Sequence, residues 1–78
     1  MDKIQKMKQK LAEQIGERVV EKRLSKDWTR RDLARASGVN EDVLLKIEHG
    51  HRLPMVETLV LIAVALDSQP GAFFPEAK

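Results

Sequence analysis

The 78 residues predict an all-α fold, a compact five-helix domain with an extended N-terminal helix. Three observations carry this. Apolar residues recur three or four apart over most of the chain, the period of an amphipathic helix, and no stretch reads as a strand. Residues with helix-start and helix-stop chemistry divide the chain near 25–28, 37–40, 49–54 and 67–70. With 42% apolar residues and no cysteine, stability falls to an apolar core rather than to disulfides or a thiolate metal site. A chain this short buries about 60% of its extended surface, so its margin is thin and a partner chain would help.

The helices are expected at about 4–24, 29–36, 41–49, 55–66 and 70–74. In the first, Ile4, Met7, Leu11 and Ile15 fall three or four apart among Lys3, Lys6, Lys8 and Lys10. Residues 1–14 are read as a helical extension and 15–78 as the domain proper, with Met1 disordered. The extension suits a helix folded on its own domain, a docking helix or a basic tail directed at phosphates. Gly16 weakens a helix interior, so it marks a start, a bend or a tight packing point. Ser25-Lys26-Asp27 is a polar connection, and Trp28 is a plug that fastens it.

The chain is organised around residues 28–50. Thr29 can cap a helix, with Asp32 three residues on to complete a capping box. Leu33, Ala34 and Ala36 give that helix its apolar side. Ser37-Gly38-Val39 breaks it, with glycine where a positive φ costs least. Asn40 caps the next helix, and Glu41 and Asp42 stand at the positive end of its dipole. Val43, Leu44 and Ile47 face inward by spacing, and Gly50 stops the helix. Two short helices across a glycine-containing turn form a helix-turn-helix.

Pro54 opens the fourth helix, in which Val56, Leu59, Leu61, Ile62, Ala63, Val64 and Leu66 exceed a single apolar stripe. Such a helix needs cover from the N-terminal helix or from a second subunit. Pro70 begins a final short helix that turns Phe73 and Phe74 inward, and Pro75 to Lys78 trail off.

Charge is unevenly spread. Residues 1–52 carry 13 Lys/Arg against 9 Asp/Glu, whereas 53–78 carry one Lys against three acids. A basic front half suits phosphate contact and suits an ordinary soluble surface almost as well. Aromatics at 4%, with no tyrosine, argue against a ring-stacking single-strand binder. No apolar run approaches about 18 residues, and no signal-peptide core stands at the N-terminus, so a cytoplasmic, nucleoid-associated protein without membrane contact is expected. His49 and His51 lack companions of metal-ligand type, and no catalytic constellation is forced by spacing, so neither a metal, a cofactor nor an enzyme is expected.

A DNA-reading helix-turn-helix lays its second helix in the major groove while the first crosses the backbone. The candidate base contacts are Glu41, Asp42, Val43 and Lys46: lysine can donate to guanine, a carboxylate can accept from cytosine, and valine can touch a thymine methyl. The candidate phosphate contacts are Thr29, Arg30, Arg31, Asn40 and Arg52, since helix N-termini and arginines bind anions. Asp42 and Lys46, four apart, can instead neutralise each other. The acids and Leu45 also admit a protein partner on this face.

The chain resembles the repressor-type, XRE-like helix-turn-helix family that includes the phage lambda and 434 repressor domains. The likeness runs from Ile15 to Phe74 through IGERVVEKR, WTRRDLARASGVN, LLKIEHGHRLP and ETLVLIAVALDSQPGAFF. The resemblance implies Trp28, Leu33, Ala34, Gly38, Val39, Leu44, Ile47 and Glu48 as structural residues. It implies an arginine partner for Glu48, with Arg23 or Arg18 as the options. It further implies sequence-specific binding of double-stranded DNA, a homodimer on a palindromic operator, and no small-molecule cofactor. Two departures bear on this: Arg30 stands where the family often has Gln, and Leu45 replaces a residue that is usually small and polar. The alternative is a helix-turn-helix-fold interaction module, antitoxin-like or an accessory regulator. The apolar excess of residues 55–66, the Phe73-Phe74 end and Ile4, Met7 and Leu11 offer a dimer interface.

Overall fold

The computed structural model describes residues 2–75. Its elements are α1 (Lys3–Ser25), α2 (Arg30–Ser37), α3 (Glu41–Glu48), α4 (Val56–Ala65) and a 3₁₀ turn, Pro70–Phe73. The expected fold is thus corrected from five helices to four, because the last element is one 3₁₀ turn. Pro70 lacks an N–H and Gly71 resists helix, so four residues close a turn and go no further. That turn also corrects the placing of its two rings. Successive residues of a 3₁₀ turn point about 120° apart. Phe73 is therefore enclosed, whereas Phe74 is left 42% exposed. The expectations for Met1 and residues 76–78 lie outside the described residues.

α1 begins at Asp2, whose carboxylate accepts from the Gln5 amide at 2.8 Å. It continues without a break through residues 14–16. Its two halves differ. Residues 3–10 are all exposed, Ile4 and Met7 included. Burial starts at Leu11 and Ala12 and continues through Ile15, Gly16, Val19 and Arg23. Gly16 is a packing point: a Cβ there would stand 2.3 Å from the Ile47 carbonyl oxygen and 2.9 Å from that of Glu48. The missing side chain is what lets α1 lie directly on the end of α3.

α1 packs on α3 and on the 3₁₀ turn, while α2 packs on α3 and α4. The core between them is built from Ile15, Val19, Leu33, Leu44, Ile47 and Ile62, closed by Phe73. Trp28 and Ala34 are half-buried against it. The Arg18 guanidinium donates to the carbonyls of Ala72 (3.2 Å) and Phe74, which ties the terminal turn to α1. α4 buries Leu59, Ile62 and Ala63 but leaves Val56, Val60, Leu61 and Val64 on the surface. The N-terminal half of α1 does not cover them. No helix among the described residues is long and apolar enough to cross a membrane.

Candidate nucleic-acid interface

The α2–α3 pair is fixed by local hydrogen bonds. Thr29 Oγ1 accepts from the Asp32 amide at 3.1 Å, and the Asp32 carboxylate accepts from the Thr29 amide at 2.8 Å. The reciprocal pair settles two amides that a helix start leaves open. The Thr29 backbone N–H, then its hydroxyl, hold the Asp32 carboxyl below the usual carboxylate range, with Arg35 adding to the effect. At the other end of α2, Gly38 takes φ 74° and its N–H closes on the Ala34 carbonyl at 2.9 Å. Ser37 is buried. Its hydroxyl donates to the Leu33 carbonyl (2.7 Å) and accepts from the Val39 amide (3.1 Å), which pins the turn from inside. The sequence places Ser37 in the helix break but not inside the core, since a serine in a turn carries no local sign of burial. Asn40 Oδ1 then accepts from the Asp42 amide at 2.7 Å to start α3.

A buried ionic network underlies the pair. The Glu48 carboxylate has no exposed side-chain surface. Arg23 reaches it through Nε at 2.8 Å and Nη2 at 3.1 Å, and its Nη1 donates to the Trp28 carbonyl at 2.8 Å. Such a fork fixes geometry as well as charge. Of the two arginines that the family likeness offered for Glu48, Arg23 is the one bound there; Arg18 is spent on the terminal turn. Arg30 adds a second cation, with Nε 3.0 Å from Glu48. Two guanidinium groups on one carboxylate leave a net positive charge between the start of α2 and the end of α3. Arg30 keeps 29% of its side chain exposed and so still faces solvent.

Thr29, Arg30, Arg31 and Glu41 line one shallow surface cleft, so three of the candidate phosphate contacts stand beside a candidate base contact. Arg31 Nε lies 3.7 Å from Glu41 in an exposed pair, which offsets the acid locally. On α3, Glu41, Asp42, Leu45 and Lys46 are exposed, with Leu45 at 36%. Val43 is half-buried against the core at the border of that face. Among the described residues no carboxylate lies within 4 Å of Lys46, so the Asp42–Lys46 pair is not formed. Arg52 stands apart from the cleft, in the loop after α3, beside His51 and Lys8. His49 and His51 are exposed, and no group of three or more His, Asp or Glu among the described residues is placed to hold a metal ion.

The family model described as helix-turn-helix matches residues 19–73. The chain belongs to the helix-turn-helix family. The match begins within α1 and takes in the α2–α3 pair, α4 and the terminal turn, in keeping with the repressor-type likeness of the sequence. A solved structure of this helix-turn-helix protein's fold is the restriction-modification controller protein C.AhdI from Aeromonas hydrophila. It superimposes with a TM-score of 0.77 at 28% identity, over 81% of this chain and 96% of that one. No curated protein matches the sequence.

Proposed function

We propose that this helix-turn-helix protein is a sequence-specific, double-stranded-DNA-binding transcriptional regulator, a dimeric repressor that reads a palindromic operator through α3. One observation carries the reading: the capped start of α2, with Arg30 and Arg31, opens onto the exposed first turn of α3. That layout suits a helix lying in a groove with the neighbouring helix start on the backbone. The likeness to a controller protein supports a regulatory role. Arg30, Arg31, Thr29, Asn40 and Arg52 take the phosphates. Lys46 reads a base edge, with Glu41 or Asp42 accepting from a cytosine amino group. Val43, at the border, reaches no more than a thymine methyl.

The dimer forms on α4. Val56, Val60 and Val64 are four apart, so they line one side of the helix, with Leu61 beside them. Exposed apolar surface of this kind on so small a domain is suited to a second copy. Two α3 helices set about 34 Å apart would then meet successive major grooves on one face of the duplex.

Binding to duplex DNA should weaken steeply as salt rises. Arg30→Ala should weaken all sequences alike, whereas Lys46→Ala should erode the preference for one sequence. Affinity for every duplex unchanged by the double variant would refute the reading. A second reading, a protein-binding module, is favoured by exposed Glu41, Asp42 and Leu45 on the same face. Leu45→Arg separates the two: it should abolish capture of a protein partner and leave or strengthen DNA binding.

A further inference from the structure

We propose that the first half of α1, joined to His51 and Arg52, is a second DNA-backbone surface that grips phosphates outside the groove occupied by α3. This rests on the DNA-binding reading above and extends its footprint.

Residues 3–12 hold Lys3, Lys6, Lys8 and Lys10 and no acid. All four lysines are exposed, and among the described residues no carboxylate lies within 4 Å of any of them. The acid just before them, Asp2, is engaged as the helix cap. Lys3 and Lys6 stand in the first turn of α1, at the positive end of its dipole, where cations are unfavourable. Four positive charges unanswered within the chain call for an anion outside it.

The basic run is also tied to the recognition helix. Lys8, Gln9, His51 and Arg52 line one cleft between α1 and the loop that leaves α3. The His51 amide donates to the Lys46 carbonyl at 2.9 Å, so that loop is anchored to the last turn of α3. Gly50 lies against Glu13 so closely that a Cβ on it would meet the Glu13 Cγ at 2.9 Å. Lys8 and Arg52 thus meet at one cleft, Arg52 on a loop whose backbone is anchored to α3 at Lys46. At about 100° per residue Lys3, Lys6 and Lys10 share one side of α1, spanning roughly 10 Å against one phosphate charge per about 1.7 Å of duplex axis, while Lys8 lies on the side toward Arg52. The family match begins only at residue 19, so this contact is an addition to the helix-turn-helix unit.

The same half-helix carries Ile4, Met7 and Leu11, which line an apolar groove with Pro75. A second copy seated there would bring two sets of four lysines together. Charge complementarity therefore favours the duplex.

The test is the full chain with Lys3, Lys6, Lys8 and Lys10 all changed to Gln, which keeps helix propensity. Wild type and variant are titrated with one selected duplex of extended flanks and with a scrambled one across a salt series. The variant should show a log-affinity-against-log-salt slope shallower by about two to three, at about 0.9 for each phosphate it no longer neutralises. Its affinity at low salt should fall about 10- to 100-fold, with the preference for the selected sequence unchanged. Trimming the flanks should weaken wild type and leave the variant unaffected. Equal slopes and affinities, with wild type still binding DNA, would overturn the second surface alone. Equal slopes with loss of the dimer in sedimentation would also overturn it and assign this half of α1 to the second copy. Wild type that binds no duplex at low salt would overturn both this proposal and the DNA-binding reading.

Discussion

The outer faces of α3 and α4 differ in kind. α3 shows solvent Glu41, Asp42, Leu45 and Lys46, three of them charged. α4 shows it Val56, Val60, Leu61 and Val64, with Glu57 the one charge on the helix. Both helices bury their other side in one core. The first face, flanked by arginines, is matched to a charged partner met reversibly in water. The second gains by leaving water altogether. On the proposed reading the domain divides its surface between DNA and a copy of itself, and each half of that division can be broken separately.

The largest effect is expected beneath α3. Glu48→Ala leaves Arg23 buried without its carboxylate, and a broken buried pair costs about 3–5 kcal/mol. Chemical denaturation should show it as a lowered midpoint with the slope kept. Gly16→Ala should follow, since the new methyl meets backbone oxygens of α3; overpacking of this sort costs about 1–3 kcal/mol. Gly16→Ala touches no exposed side chain, so any loss of DNA binding should track its loss of fold, whereas Glu48→Ala also frees Arg30 from its carboxylate.

On α4, Val60→Asp combined with Val64→Asp should weaken self-association at least tenfold, about 1.4 kcal/mol, and leave the monomer folded. Sedimentation with circular dichroism reads both quantities. Thr29→Ala should cost about 1 kcal/mol through the lost cap, visible as a lower thermal midpoint.

The smallest effect concerns pH. The Asp32 carboxyl is held below its ordinary value in the folded protein. Its contribution to stability is therefore complete above the unfolded value, near 3.9, and fades as pH falls through the lower folded one. Asp32→Asn should flatten that part of the acid unfolding curve and leave the neutral part nearly parallel. An unchanged acid limb would show that the capping box does not carry the shift.

The features of the α2–α3 pair that were legible in the sequence are those set by near neighbours. Thr29 with Asp32, Gly38 in the turn and Asn40 before α3 act within a few residues, so spacing reveals them. Partners chosen by tertiary packing were less legible. Arg30 joins Glu48 across 18 positions, and Glu41 meets Arg31 rather than a residue of its own helix. No periodicity encodes either. The same limit applies to Gly16, where composition admits a start, a bend or a contact and only the approach of α3 decides. It applies to the uncovered side of α4, since a sequence shows apolar excess but not which surface lies over it.

Selection from a randomised duplex library decides whether α3 of a dimer reads duplex DNA. The expected result is one enriched motif in two inverted halves, centred about one helical turn apart. A pool that stays random at low salt, or a motif with no repeat, would contradict the account.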